Sequence, residues 1–429
     1  MKNNTISFIA LGCRANQAEN SEYHQGMLEV GWEVIDHDLN NSDVYVINTC
    51  TVTNEAERQS RQLIRKIIRK NPDSKIIVTG CSTKYLQANT EIASNIDLFI
   101  PNLDKDKFLN RLYNYLDIEK DFTPVDFIPH VEDSDTTRLN IKITDGCNWA
   151  CSYCIIPRVR GKLRSISEDE IIARVKKAEE MGYKEVVLTG IQLGGYGKDF
   201  GKNGLELLIP RMLKETSIQR IRLSSIEPTD ISDKLIEELS KSDRICNHMH
   251  IPVQSGADHI LDLMKRRYYR AGFEDRINTL RKYIPNVTIT TDILVGFPSE
   301  TEEDFEDSCE FVQKIGFNKL HIFPYSDRQG TVASKMPDKI HPDIIKVRKK
   351  LLSDIDKKMQ IDWLKTFLGK TKEVLVETTE KDKITVHSTA KDYSKVLFTS
   401  SSVKKNDIVN VLITEIDEER FCLKGDLIV

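Results

Sequence analysis

The chain has 429 residues, 39% of them apolar and 30% charged, with a net charge of −4. That length exceeds what one hydrophobic core organises, so two or three domains are expected. No apolar run is long enough to cross a bilayer, and the near-neutral charge gives no global sign of nucleic acid, so any RNA-binding role must rest on local features.

The segment Met1–Cys13 offers a lipoprotein-like cysteine after an apolar stretch, but it is too short and too weakly flanked for a signal peptide. A cytoplasmic location is therefore expected, where cysteines argue for metal or catalysis before disulfides.

In chain order, residues 5–11 read as a strand, Ala18–Val30 as a helix, Asp43–Ile47 as a strand, Asn54–Lys70 as a helix and Ser74–Thr79 as a strand. Short apolar strands alternating with helical patterns predict a parallel α/β domain over 1–120, Rossmann-like or flavodoxin-like. Asp121–Asp135, with two prolines and many acids, reads as a linker that runs to about residue 138. A second alternation follows, with strands expected at 139–144, 185–190, 219–225, 247–253, 287–295 and 318–324 and helices such as Glu168–Met181 and Thr301–Ile315. Six such units suit a partial (β/α)6 barrel over 139–365. Past a charged helix around Pro342–Phe367, short β-rich runs at Glu373–Glu377, Ile384–His387, Ser394–Phe398, Ile408–Ile413 and Phe421–Leu423 predict a small β-barrel over 366–429, a type that often binds nucleic acid. Its charges nearly cancel, so electrostatic support for RNA there is weak.

Cys147, Cys151 and Cys154 follow the first strand of the second unit in a Cx3Cx2C spacing. Three thiolates on one loop can ligate three irons of a [4Fe–4S] cluster and leave the fourth iron open. An open iron can chelate S-adenosylmethionine, whose one-electron cleavage yields a 5′-deoxyadenosyl radical. A structural zinc site would need a fourth ligand, and no Cys or His follows nearby; a redox-inert cysteine loop is the other alternative. Cys13, Cys50 and Cys81 are far apart in sequence, yet each follows an expected parallel strand of the first unit. Strand C-terminal ends share one edge of such a sheet, where ligand crevices form, so this triad is a second candidate cluster site. Buried packing is the alternative for these cysteines, and it is the reading for Cys246, Cys309 and Cys422.

Together the two triads resemble the methylthiotransferase family of radical S-adenosylmethionine enzymes, over nearly the whole chain. The motifs that carry the resemblance are Leu11-Gly12-Cys13-Arg14-Ala15-Asn16-Gln17, Asn48-Thr49-Cys50-Thr51-Val52-Thr53, Gly80-Cys81 and Gly146-Cys147 through Cys154-Ile155-Ile156-Pro157. The resemblance implies an N-terminal cluster domain, a radical core and a C-terminal TRAM domain, with two [4Fe–4S] clusters held by the six cysteines. It also implies two uses of S-adenosylmethionine, as methyl donor to sulfur at the N-terminal cluster and as radical source. The expected partners are a tRNA anticodon stem-loop and an electron donor such as flavodoxin or ferredoxin, with no membrane.

Family branches act on isopentenyladenosine in tRNA, on threonylcarbamoyladenosine in tRNA and on an aspartate of a ribosomal protein. The stretches Leu188–Gly197, Arg222–Pro228 and His321–Thr331 look most like the threonylcarbamoyladenosine branch. The radical would open C–H functionalisation at adenine C2, which acid–base residues could not achieve at neutral pH. Arg158 departs from the tyrosine usual after the proline of the cluster loop, which leaves the thiols intact but puts local substrate contacts in doubt.

Further candidates accompany the cysteines. Tyr153 either packs on the adenine of bound S-adenosylmethionine or on the barrel rim. Thr189 and Gly190 end a core strand where backbone could receive the methionine amino group. The resemblance adds Ser225, Glu227 and Gln254 facing the cofactor, although a barrel interior also uses such residues to satisfy polar groups. Lys265, Arg266 and Arg267 open a run that interleaves with Tyr268 and Tyr269, as phosphate contact with base stacking requires, and Arg58, Arg61, Arg65 and Arg69 recur at helical spacing. A solvated face is the alternative for both sets. Arg328 could bind the carboxylate of threonylcarbamoyladenosine in bidentate fashion, or brace the last barrel strand. A reading of a different class, a non-enzymatic iron–sulfur carrier with an RNA-binding tail, would have no use for a cofactor-binding barrel.

Overall fold

The computed structural model describes residues 4–35, 39, 41–120, 136–202, 204–380 and 384–428. Most of the expected linker, 121–135, lies outside them. The N-terminal unit is a five-stranded parallel sheet of β1 (Thr5–Ala10), β2 (Glu33–Val34), β3 (Val44–Thr49), β4 (Lys75–Gly80) and β5 (Leu98–Pro101), in the order β2-β1-β3-β4-β5. That order is flavodoxin-like and decides between the two topologies left open by sequence. Every residue of β3 is buried, as a central parallel strand covered on both faces requires. Helix α1 (Arg14–Glu29) follows β1 after only three residues, so it starts four residues before the expected Ala18. Helix α2 (Asn54–Lys70) has the expected bounds, set by the Thr53 side chain accepting the Ala56 amide, with Glu55 and Glu57 in the first turn and Arg69 and Lys70 in the last.

The central unit contains six parallel strands: β6 (Arg138–Asp145), with the short antiparallel β7 (Arg164–Ser165) at its edge, then β8 (Glu185–Gly190), β9 (Arg220–Leu223), β10 (His248–His250), β11 (Thr288–Val295) and β12 (Lys319–Pro324). Two sheets, β7-β6-β8-β9 and β10-β11-β12, are joined by single bridges such as Ser225 to His250, which gives the partial (β/α)6 barrel. Its core includes Ile141, Val186, Leu188, Ile221, Ile289 and Ile293.

After the helix Pro342–Lys365, five strands close into a small barrel: β13 (Thr371–Thr379), β14 (Thr385–Ala390), β15 (Lys395–Thr399), β16 (Ile408–Asp417) and β17 (Cys422–Ile428). Val374, Val386, Phe398 and Ile413 fill it. This barrel docks on the central unit through two fully buried arginines of β9. Arg220 donates to the Thr389 and Glu373 carbonyls at 3.1 Å, and Arg222 donates to the Lys391 carbonyl at 3.0 Å while its Nε holds Glu185 at 2.7 Å. Tyr393 stacks on His248 with ring centroids 4.7 Å apart. Among the described residues no helix is long and apolar enough to cross a membrane.

Removing Arg222 leaves the buried Glu185 carboxylate with only the more distant Arg220, at 3.7 Å, to compensate it. Arg222→Ala should therefore cost about 3–5 kcal/mol in chemical denaturation, and Arg222→Ala with Glu185→Ala should cost less than the sum of the two single changes.

Candidate functional site

The loop after β6 carries Cys147, Cys151 and Cys154. It is pinned at both ends, because the Cys147 amide donates to the Gly161 carbonyl at 3.1 Å and the Ser152 amide to the Met264 carbonyl at 3.0 Å. The three cysteines border a cavity of about 170 Å3 whose wall also includes Tyr153, Gln192, Ser225, Glu227, Arg266 and Asp292. Burial pushes the Cys147 thiol up to about 11 and the Cys154 thiol up to about 12. Three thiols on one loop beside this cavity are a donor set that fits three irons of a [4Fe–4S] cluster. A larger cavity of about 970 Å3 lies between two outer helices, amid Glu302, Glu306, Asp354 and Asp362 and away from both triads.

Cys13, Cys50 and Cys81 follow β1, β3 and β4, three adjacent strands, so parallel topology delivers them to one edge. Gly12, at φ +90°, makes this approach possible: a Cβ there would lie 2.6 Å from Cys50 Sγ. Burial pushes Cys50 up to about 11, and the Cys81 and Cys13 thiols add to the shift, so the three lie within electrostatic reach of one another. Arg160 Nε donates to Cys81 Sγ at 3.3 Å. Among the described residues no three Cys, His, Asp or Glu side chains converge on one point as a single metal ion demands, whereas a cluster distributes its thiolates over separate irons.

The family model of the Radical SAM superfamily matches residues 141–312, and that of Uncharacterized protein family UPF0004 matches residues 5–100. The threonylcarbamoyladenosine tRNA methylthiotransferase MtaB of Bacillus subtilis is 38% identical over 426 residues, covering 95% of this chain and 93% of that protein. A tRNA-2-methylthio-N(6)-dimethylallyladenosine synthase of Acetivibrio thermocellus is 33% identical over 97% of this chain and 89% of that protein. The chain belongs to the radical S-adenosylmethionine methylthiotransferase family. Membership brings a [4Fe–4S] cluster and S-adenosylmethionine as cofactors. The radical S-adenosylmethionine methyltransferase TsrM of Kitasatospora setae shares the fold, with a TM-score of 0.54 at 13% identity over 75% of each chain.

The remaining residues of this methylthiotransferase fall into three groups. Tyr153, Ser225 and Glu227 line the cysteine cavity. Burial raises the Glu227 carboxyl above its usual range, although Arg266 pairs with it. Tyr153 also packs edge-on against Phe297 at 6.5 Å. Thr189, Gly190 and Gln254 are not in the cavity wall. Thr189 is buried in β8, and Gly190 is bare because a Cβ would strike Thr144 Oγ1 at 1.9 Å. Gln254, at φ +69°, gives its amide to the Asp292 carbonyl at 2.8 Å. Asp292, Gln192 and Trp149 line the cavity without having stood out in the sequence.

The basic run corrects one expectation. Its residues alternate, so Lys265, Arg267 and Tyr269 are exposed while Arg266 and Tyr268 are buried. Arg266 is no surface phosphate contact: it donates to Cys151 Sγ at 3.3 Å, pairs with Glu227 and sits 5.0 Å from the Trp149 ring centre. Arg267 stays at the mouth, 4.9 Å from the same ring centre. On α2, Arg58 pairs with Glu55, Arg61 with Glu57 and Arg65 with Glu91, which removes most of that face's free positive charge.

Arg328 is the second correction. It is 5% exposed, its two terminal nitrogens are taken by Glu57, Thr51 and Asn54 of the N-terminal unit, and its Nε is buried without a partner, which places the guanidinium in a contact between units and not at an open substrate surface. Bracing is right, but between units and not within the last strand. Arg158 is exposed beside Gly330. Arg328→Ala should raise hydrogen exchange at the Asn54 amide, which donates to Ser326 at 2.9 Å, and should lower activity equally on substrates with a free and an esterified carboxylate.

Proposed function

We propose that this protein is a tRNA methylthiotransferase that converts N6-threonylcarbamoyladenosine next to the anticodon to its 2-methylthio derivative. The observation that carries this reading is the pair of three-cysteine sites, one on the barrel loop and one on the flavodoxin-like sheet edge, joined through Arg160. The choice of substrate rests on relatives: those named for threonylcarbamoyladenosine are 36–39% identical, and those named for dimethylallyladenosine 33–34%. The units divide near residues 120, 138 and 365, and the C-terminal barrel is the TRAM module that takes the anticodon stem-loop.

When bound, a cluster at Cys147, Cys151 and Cys154 supplies the electron that cleaves S-adenosylmethionine, and a second at Cys13, Cys50 and Cys81 anchors the sulfur to be transferred. Tyr153, Ser225 and Glu227 form the cofactor wall, and Arg266 holds Glu227 against it. Lys265 and Arg267 meet phosphate at the cavity mouth. A reduced flavodoxin or ferredoxin is the electron source, and the cytoplasm the place of action.

Mass spectrometry of tRNA nucleosides from strains with and without the gene should show loss of the 2-methylthio group from threonylcarbamoyladenosine alone; loss from isopentenyladenosine instead would reassign the substrate. Cys13→Ala should still yield 5′-deoxyadenosine but no methylthiolated nucleoside, and Cys151→Ala should yield neither. Methylthiolation by Cys13→Ala at near the parent rate would remove sulfur delivery from the N-terminal triad.

A further inference from the structure

The interface between the N-terminal sheet and the partial barrel buries a network of charges. Arg160, wholly buried at the end of the short helix Ile156–Arg160, donates to Glu19 at 3.2 Å, to Asp145 at 2.9 Å and to Asn16 at 2.6 Å. Lys105 and Lys142 also pair with Glu19. Three cations thus meet Glu19 and Asp145, Glu22 also acts on Lys142, and Arg164 adds a positive charge beside Asp145 at the rim. A buried cation needs an acceptor for each of its donors, and no carboxylate takes the Nε of Arg160.

That Nε points at Cys81 Sγ, 3.3 Å away. Lys105, which pairs with Glu19 and donates to Asn48 Oδ1 at 3.1 Å, is within electrostatic reach of the same sulfur. We infer that Arg160 is a positioning residue for the N-terminal cluster, whose reduction potential it raises by donating to the Cys81 sulfur. Hydrogen bonds to ligand sulfurs and local net charge are the levers that set such potentials. Because Arg160 lies six residues beyond Cys154, the same side chain ties the position of one triad to the loop of the other. The inference rests on the two-cluster reading above.

An interdomain strut with no electronic role would also be buried and bonded, so the test must read the potential. Full-length protein with Cys147, Cys151 and Cys154 all changed to Ala restricts iron to the N-terminal site. After anaerobic reconstitution, iron and sulfide per chain and an EPR-monitored redox titration are compared with and without Arg160→Gln. Arg160→Gln should lower the midpoint by the equivalent of a tenfold change in the reduced-to-oxidised ratio, about 59 mV for a one-electron couple. Full iron content with an unchanged midpoint overturns the positioning role. Where Arg160→Gln does not fold or holds no cluster, Lys105→Gln decides, because it removes a second cation within electrostatic reach of Cys81: a lower midpoint supports tuning of the cluster from this interface and an unchanged one overturns it. If the chain with Arg160 intact binds no cluster, the two-cluster reading fails first and this inference falls with it.

Discussion

The buried ion network around Glu19 is the constraint on which the arrangement depends. The two α/β units face each other where the short helix after the barrel's cysteine loop reaches the cysteine edge of the sheet, and that excludes water from Arg160, Glu19 and Asp145. Apolar packing alone would not fix the rotation between the units. Glu19, on α1, takes Lys105 from its own unit and Lys142 and Arg160 from the barrel, so a single carboxylate specifies the docking of three elements. Such networks contribute more to specificity than to net stability, since desolvation offsets much of the attraction.

The C-terminal barrel is held by the same chemistry at another place. Arg220 and Arg222 reach backbone carbonyls of the barrel, whose geometry is fixed by its closed hydrogen bonding. Tyr393, in the turn after β14, accepts a hydrogen bond from Arg14 at 2.7 Å. Arg14 directly follows Cys13, so one tyrosine of the last unit touches the residue beside a cysteine of the first. The three units form one assembly, and the textural change near residue 370 marks a fold boundary without marking a detachable tail.

What the sequence made legible were the features carried by periodicity and by parallel topology. Cys13, Cys50 and Cys81 could be brought together on paper because parallel strands end on one side, and α2 could be bounded because Thr53 and the charges at its two ends announce it. The short strands β2 and β5 were missed because two and four residues carry too little pattern. Arginines were the main failure. Arg328 meets Thr51 across 277 positions, and Arg266 meets Cys151 across 115. A basic residue reads the same in sequence whether it binds phosphate, carboxylate or a thiol, and only long-range contacts separate these cases.

The burial of the thiols links metal binding to interface formation. Burial pushes up the thiols of Cys50 in one triad and Cys154 in the other, so a metal centre that took them as thiolates would release their protons. At Cys81 the counter-charge is assembled only when the barrel unit docks, because Arg160 arrives with the barrel while Cys81 belongs to the sheet. An anionic ligand set at the N-terminal triad would therefore meet this counter-charge only in the docked arrangement, and by linkage its binding would favour docking.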